Sequence, residues 1–471
     1  MNESLLSFSE VLESLSELGG KILNDSFDAS AFCFTNVETD SRNVVEKTLF
    51  VPLVGERQDG HNFIQSAIEK GAGVVFVSRD DDVIRNLIEK NPSVAFIYSS
   101  NTMHALQKAA GFYVRKFPNL IRCSVTGSSG KTTTKEIAAS ILSQKYNVVA
   151  NFGNYNSETG LPLSVFKIRD THELGLFEMG MNRENEIGEI ADVFRPNYGI
   201  VTNIGTAHIG ILGSRENIAK EKKKIFSHMD KNGVAVIPAA DDFSSFLCDG
   251  VKGKVVLYGI DSNPRIKFIS DDGLEGTRFS VDGVEMRLAI PGKYNFLNAL
   301  GAISLALELS LDAEQIKRGI EGVRILGGRS ELVKGKYTVL KDCYNANPDS
   351  MYKAIELSSS IKVSGKKIFV LGDMLELGAD SEKEHKRIGT LLSKTDVDVV
   401  VLVGDEINYA LLGKPEPEGK PIFYVYVKGR DEDAMKKAAE TILSYSEPGD
   451  FILLKGSRGV GLERILPLIG M

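Results

Sequence analysis

The sequence has no basic surplus: 56 lysines and arginines stand against 63 aspartates and glutamates, giving a formal charge of −7 and a pI near 5.6. Such a chain has little with which to neutralise a phosphate backbone, so no nucleic-acid partner is expected, although a local pocket for a small anion stays allowed. Cysteine is scarce. Cys33, Cys123, Cys248 and Cys343 lie far apart without paired spacing, which argues against a zinc ribbon or a disulfide framework and fits a reducing cytoplasm. Long apolar runs are missing: Gly73–Val77 and Val399–Val403 are strand-length, well short of the roughly 20 residues that cross a bilayer. The N-terminal stretch MNESLLSFSEVLESLSEL is acidic and amphipathic and lacks the basic region and apolar core of a signal peptide. A cytoplasmic protein that is not integral to a membrane is therefore expected. Short-period repeats and low-complexity tracts are also absent.

What is present is ordinary globular material, 42% hydrophobic and 25% charged over 471 residues, enough for roughly three domains. The pattern supports an α/β fold class throughout. In residues 1–102, strands at Leu49–Leu53, Val74–Val77 and Val94–Tyr98 alternate with amphipathic helices at His61–Lys70 and Asp81–Lys90, a small α/β domain. Met103–Phe117 reads as a connecting helix that Pro118 stops. A central domain, residues 103–322, begins with the strand Ile121–Val125 and continues with strands at Leu174–Glu178, Tyr198–Val201 and Gly233–Ile237, a rhythm that predicts a doubly wound, mostly parallel sheet. The pairs Asp272-Gly273 and Asp282-Gly283 mark an antiparallel flap between Arg265 and Ile290, ahead of a helix at Asn295–Glu308. Gly322–Gly328 reads as a linker. The alternation then resumes in residues 323–471, with strands at Tyr337–Leu340, Lys367–Leu371, Val397–Val403 and Phe451–Leu454, a Rossmann-like third domain.

The first chemical signal stands where a strand meets a helix, at Thr126-Gly127-Ser128-Ser129-Gly130-Lys131-Thr132-Thr133. Glycines there let successive backbone N–H groups turn inward around phosphate oxygens, the helix N-terminus adds partial positive charge, Lys131 reaches the terminal phosphates and Thr132 offers a hydroxyl to Mg²⁺. Val125 stands where the strict motif has its first glycine, so this is a shortened phosphate loop. It implies ATP or GTP and no particular reaction. Further along, Glu178 closes an apolar strand, where a carboxylate suits Mg²⁺. His208 follows the strand Tyr198–Val201 as a metal ligand or proton handler. The expected helix Arg215–His228 carries Lys220, Lys222, Lys223 and Lys224; a solvated basic face is the ordinary reading of such a run. Lys222 has a second one, because an unprotonated amine beside a metal captures CO₂ as a carbamate that ligates Mg²⁺.

Taken in order, Thr126–Thr132, Phe177-Glu178-Met179-Gly180, Asn203–His208 and Ala219-Lys220-Glu221-Lys222 resemble the central ATPase domain of the Mur ligases, which build the peptide stem of peptidoglycan. Gly292-Lys293-Tyr294-Asn295-Phe296-Leu297-Asn298-Ala299 is similar to the family's adenine-side segment, with Tyr294 in place of the usual histidine. Thr39-Asp40-Ser41-Arg42 and Gly55-Glu56-Arg57-Gln58-Asp59-Gly60-His61 resemble its uridine-binding domain. Asp342–Met351, Leu371–Gly378 and Lys455–Arg458 are similar to the dipeptide-adding branch.

The resemblance implies ATP, two Mg²⁺ ions and a carbamylated Lys222. Lys131, Glu178, His208 and Lys222 become the expected catalytic set, and Thr132, Glu178, His208 and Lys222 the expected metal ligands. It places Gly127, Ser128, Ser129, Gly130, Lys131, Thr132, Thr133, Asn295, Asn298, Arg329 and Asp342 on the nucleotide. Ser41, Arg42, Asn154, Asn156, Asn345, Asn347, Ser457 and Arg458 fall on the peptide substrates, UDP-N-acetylmuramoyl-tripeptide and D-Ala-D-Ala. A monomer is expected. The alternatives are a tripeptide-forming relative, a folylpolyglutamate synthase-like ligase and, from a different class, a P-loop kinase or a nucleotide-gated binding protein.

Overall fold

The computed structural model describes residues 4–24, 27–55, 58–324, 327–413 and 422–471. Glu56 and Arg57 of the uridine-side motif, and Ile325 and Leu326 of the expected linker, lie outside the described residues. The N-terminal sheet comprises β1 (Lys21–Ile22), β2 (Asn36–Glu38), β3 (Thr48–Phe50), β4 (Ala72–Val77) and β5 (Ala95–Tyr98), in the order β1-β5-β4-β3-β2. All its pairings are parallel except β1 with β5. The expected helix His61–Lys70 begins instead as a 3₁₀ turn, Gly60–Phe63, and becomes α-helical over Ile64–Glu69. The Asp59 carboxylate accepts from the His61 backbone N–H and fixes that tighter start.

The central sheet orders β6 (Ile121–Thr126), β7 (Val148–Ala150), β8 (Leu174–Glu178), β9 (Tyr198–Val201), β10 (Val234–Pro238) and β11 (Lys254–Tyr258) as β11-β10-β9-β6-β8-β7. The connections leave β6 in opposite directions, so the strand order reverses at the end of β6, where doubly wound sheets open their ligand crevice. The helix Arg215–Lys223 ends five residues before the expected His228 and passes into a 3₁₀ turn, Lys224–Phe226. There the Ser227 N–H donates to the Lys224 carbonyl at 3.0 Å and the Met229 N–H to the Phe226 carbonyl at 3.1 Å, the three-residue spacing that closes a 3₁₀ turn and ends the α-helix.

The flap is antiparallel, with β12 (Ile266–Asp271), β13 (Thr277–Val281) and β14 (Val284–Leu288). Asp282 and Gly283 adopt φ of 49° and 85°, the two positive values a two-residue hairpin turn of the I′ kind demands. The other turn pair leads into a longer connection, because Gly273–Glu275 winds as a 3₁₀ segment.

The last sheet contains β15 (Glu331–Lys334), β16 (Thr338–Asp342), β17 (Lys367–Gly372), β18 (Val399–Gly404), β19 (Phe423–Lys428) and β20 (Phe451–Lys455), in the order β15-β16-β20-β17-β18-β19. Only β15 runs antiparallel to its neighbour. Alternate residues fill two separate cores. Ile368, Val370, Val401 and Ile452 face the helix Glu432–Tyr445, while Phe369, Leu371, Val400 and Leu453 face the helices Pro348–Ser360 and Ser381–Leu392. Burial on both faces explains why β17, β18 and β20 read as unbroken apolar runs.

Contacts divide the chain into two compact units. One comprises Met1–Ser124, Tyr146–Gly199 and Lys224–Asn232; the other comprises Val125–Lys145, Ile200–Lys223 and Gly233–Met471. Among the described residues, no helix is long and apolar enough to cross a membrane.

Candidate active site

In the second unit the loop after β6 is gripped from below by the segment that follows β9. Thr202 Oγ1 donates to the Ser129 carbonyl at 2.6 Å, and Asn203 Nδ2 donates to it at 2.9 Å. In return the Ser128 N–H donates to the Asn203 carbonyl at 3.0 Å and the Ser129 N–H to Asn203 Oδ1 at 3.2 Å. The approach is close enough to require glycine twice. A Cβ on Gly127, at φ 153°, would stand 1.8 Å from Thr202 Oγ1, and one on Gly130, at φ 80°, would stand 2.4 Å from Asn298 Oδ1. Gly130 is also the N-cap of the helix Lys131–Leu142. Lys131 therefore starts a helix whose N-terminal dipole favours an anion, and its Nζ donates to the Gly127 carbonyl at 3.0 Å. Thr132 follows on the first turn.

Asn295 and Asn298, on the first turns of the helix Lys293–Glu308, are both buried; Asn298 Nδ2 donates to Asn295 Oδ1 at 3.3 Å. The neighbouring Tyr294 shares a hydrogen bond of 2.9 Å with Ser330 Oγ. The Ser330 N–H donates to Asp342 Oδ1 at 2.9 Å, and Asp342 Oδ2 pairs with Lys455 Nζ at 2.8 Å. Burial, with the Asp342 charge adding to it, holds the Tyr294 hydroxyl protonated far above neutral pH. Asp342 is thereby delivered to the same helix start as the two asparagines.

His208 sits at φ 65° as the N-cap of the short helix Ile209–Leu212. Its Nδ1 is buried and finds no hydrogen-bond partner among the described residues; Glu376 Oε2, at 3.7 Å, is beyond bonding range. Burial first, then the charges of Lys131 and Lys222, push its pKa down to about 4. The imidazole is neutral at pH 7 with a lone pair to offer. Lys222 itself is only 1% exposed, whereas Lys220 is exposed, and Lys223 Nζ donates to the Phe246 carbonyl at 2.6 Å. The solvated face expected of the lysine run holds for Lys220 and fails for Lys222.

On the expected acceptor side, the Arg329 guanidinium stacks 3.4 Å above the Tyr344 ring, and that of Arg458 lies 5.9 Å from the same ring. Arg458 is exposed and pairs with Glu463 at 2.9 Å. Asn345 accepts from the Ala346 N–H through its side chain, and its carbonyl accepts from Lys455 Nζ. Asn347 and Ser457 are otherwise engaged. The Asn347 side chain caps the helix Pro348–Ser360, and the buried Ser457 hydroxyl accepts from the Leu375 N–H while donating to the Ala346 carbonyl.

In the first unit Glu178 ends β8, 2% exposed, and its Oε1 accepts from Asn156 Nδ2 at 2.6 Å. Asn151 imitates a neighbouring strand, accepting from the Glu178 N–H at 2.9 Å and donating to the Glu178 carbonyl at 3.0 Å. Asn154 is exposed on the same loop. Ser41 and Arg42 stand on a 3₁₀ turn capped by Asp40. The Arg42 guanidinium grips the Asp40 carboxylate at 2.6 Å, which together with the Arg42 N–H lowers that carboxyl to about pKa 2. His61 is buried as a strut, with Nδ1 against Asp59 at 2.6 Å and Nε2 accepting from the Ser78 N–H.

Three family models match the chain in succession: the Mur ligase family catalytic domain over residues 34–114, the Mur ligase middle domain over 125–306 and the Mur ligase glutamate ligase domain over 328–458. A UDP-N-acetylmuramoyl-tripeptide–D-alanyl-D-alanine ligase from Treponema pallidum is 40% identical, with 99% of each chain covered. The crystal structure of MurF from Acinetobacter baumannii superimposes with a TM-score of 0.86 at 28% identity over 98% of both chains. MurF from Thermotoga maritima, solved in complex with ADP, gives 0.75 at 26% identity, covering 92% of this chain and 96% of that one.

Proposed function

The chain belongs to the Mur ligase family, and from that premise we propose that it joins D-alanyl-D-alanine to UDP-N-acetylmuramoyl-tripeptide at the expense of ATP, acting as a monomer in the cytoplasm. The observation that carries this reading is the phosphate loop gripped by Thr202 and Asn203, with Lys131, His208 and buried Lys222 near enough for both lysines to depress the histidine. Residues 1–102 bind the uridine end, residues 103–322 hold ATP, and residues 323–471 close the nucleotide site and carry the dipeptide.

A carboxylate is a poor electrophile, so the stem carboxylate oxygen attacks the γ-phosphorus of ATP. The bond to ADP breaks and an acyl phosphate forms. The dipeptide amine, having lost its proton, then attacks the acyl carbon; the C–O bond to phosphate breaks and an amide remains. Two anions meet in the first step. Lys131 and the N–H groups of Gly130 to Thr133 at the helix start take up that charge, while Gly127, Ser128 and Ser129, with the serine N–H groups held by Asn203, shape the loop around it. Asn295 and Asn298 hold the base, Asp342 the ribose, and Arg329 the phosphates. Ser41 and Arg42 hold the nucleotide-sugar end, and Asn154 and Asn156 the stem. Arg458 takes the free carboxylate of the dipeptide, whose geometry suits a guanidinium fork; Asn345 lines the same side, kept in place by Asn347 and Ser457.

Magnesium fits the oxygen donors of this set, the Thr132 hydroxyl, the Glu178 carboxylate and a Lys222 carbamate, to which the orphaned Nδ1 of His208 adds one nitrogen. Thr132, Glu178, His208 and Lys222 as its carbamate would hold two such ions, which would supply further charge neutralisation. Phosphate release tests the whole reading. It is expected only when ATP, UDP-N-acetylmuramoyl-tripeptide and D-Ala-D-Ala are all present. Turnover without an amine would indicate a kinase, and turnover with glutamate on a folate would indicate the folylpolyglutamate branch.

A further inference from the structure

Asp349 lies outside every role assigned above. It stands in the first turn of the helix Pro348–Ser360, two residues beyond the capping Asn347. An aspartate there is ordinarily explained by the helix dipole. Here its carboxylate also reaches across to the segment that grips the phosphate loop: Oδ2 accepts from the Thr206 N–H at 2.9 Å and from Thr206 Oγ1 at 3.2 Å. One residue earlier, the Gly205 N–H donates to Ser128 Oγ at 2.9 Å, inside the phosphate loop itself. A Cβ on Gly205 would fall 2.2 Å from Asp349 Oδ2, so the glycine keeps room for the carboxylate. A continuous bonded path thus runs from Ser128 through Gly205 and Thr206 to Asp349, and along the chain to Asn347 and Asn345.

We propose that Asp349 is a positioning residue that sets the dipeptide-binding loop in register with the phosphate loop. The proposal rests on the ligase reading above. Attack by the amine needs the acyl carbon and the dipeptide aligned to within an ångström or so, and a misplacement of that size costs about a hundredfold in rate. One carboxylate oxygen that accepts from a backbone N–H and a hydroxyl together fixes both distance and direction. The phosphate loop, Asn295 and Asn298 lie on the near side of this path, and Asp342 and Arg329 are held by their own contacts to Ser330, Lys455 and Tyr344, so loss of the latch falls on the acceptor and leaves ATP binding little changed.

Full-length Asp349→Ala, Asp349→Asn and Gly205→Ala variants test it by steady-state phosphate release and by hydrogen exchange at the Thr206 amide. Asp349→Ala and Gly205→Ala are expected to raise the KM for D-Ala-D-Ala about tenfold or more, with the KM for ATP within about twofold. Asp349→Asn, which keeps an acceptor oxygen of the same reach, is expected to stay within about threefold of the parent. Hydrogen exchange gives a readout independent of the substrates: the Thr206 amide loses protection in Asp349→Ala and keeps it in Asp349→Asn. An unchanged KM for D-Ala-D-Ala in Asp349→Ala, an equal rise for ATP, or undiminished Thr206 protection would each overturn the proposal. If the parent enzyme failed to use D-Ala-D-Ala while Thr206 exchanged as expected, the substrate assignment would fall and the latch would stand.

Discussion

The guanidinium carbon of Arg329 lies over the ring of Tyr344, 3.4 Å from its centre. A cation so close over an aromatic face is held there by the ring's quadrupole, and the guanidinium keeps its N–H donors for other partners. The Arg458 guanidinium approaches the same ring at 5.9 Å, so one aromatic side chain steadies the arginine proposed for the nucleotide phosphates and the arginine proposed for the dipeptide carboxylate. Tyr344→Phe preserves the ring and is expected to keep near-parental kinetics. Tyr344→Ala is expected to raise KM several-fold for both ATP and D-Ala-D-Ala, about 1 kcal/mol for each released arginine. Equal behaviour of the two variants would show that the ring does not orient either group.

Lys131 is the one side-chain cation at the start of the phosphate-loop helix, and its Nζ rests on the Gly127 carbonyl. Exchange of that neutral acceptor for a terminal phosphate is strongly favoured when ATP arrives. Lys131→Ala should therefore lose at least about a hundredfold in kcat, the scale of a lost charge-stabilising donor at a transition state, with the thermal midpoint little changed. Retained activity would remove the phosphate loop from the mechanism.

Much of this was legible in the residues because each signal was local. Apolar runs at Lys367–Leu371 and Phe451–Leu454 forecast strands, Asp282-Gly283 forecast an antiparallel turn, and Gly127 with Gly130 forecast a glycine-rich turn between strand and helix. The unreadable parts are tertiary. Asp349, following Pro348, looks like a helix-start carboxylate, and only the fold brings Thr206 to it. Four lysines between Lys220 and Lys224 look alike in sequence, and only packing singles out Lys222 for burial. The early 3₁₀ winding after Lys223 is closed by bonds to the Lys224 and Phe226 carbonyls, which a helical hydrophobic period does not anticipate. Asn347, which the resemblance places on the peptide substrate, caps the helix Pro348–Ser360, and an asparagine before proline is a common helix start by local chemistry.

His385 makes the stability of the C-terminal sheet sensitive to acid. Its buried ring accepts from the Met374 N–H at Nε2, 3.0 Å, and donates from Nδ1 to the Ser381 carbonyl at 2.8 Å. Burial lowers its pKa below the ordinary value. The folded state then binds fewer protons than the unfolded one below about pH 6.5, so stability is full above that pH and falls as pH drops through 6.5 towards the folded pKa. Urea midpoints measured at pH 7.5 and pH 5.5 should show the lower value at pH 5.5. In His385→Asn both midpoints drop, because a buried acceptor is disturbed, but the gap between them narrows. An unaltered gap would place the acid sensitivity elsewhere.

Lys222 offers the sharpest test of the metal chemistry. Its side chain is buried within a turn of exposed Lys220, and its charge falls on His208. An ammonium there opposes a divalent cation, whereas attack of the free amine on CO₂ forms an N–C bond, releases a proton and leaves an anionic ligand of the hard-oxygen type Mg²⁺ prefers. Lys222→Ala is therefore expected to lose most of its activity and to recover part of it with millimolar acetate or formate, small carboxylates able to occupy the vacated position. Lys223→Ala, which removes a contact to the Phe246 carbonyl, should stay within about threefold of the parent, as a surface change does. Carbon-13 NMR of protein equilibrated with labelled bicarbonate gives a second reading: a carbamate resonance is expected in the parent and absent in Lys222→Ala. Without that resonance, and with Lys222→Ala indistinguishable from Lys223→Ala, Lys222 would be a buried structural amine and the second metal would need another ligand.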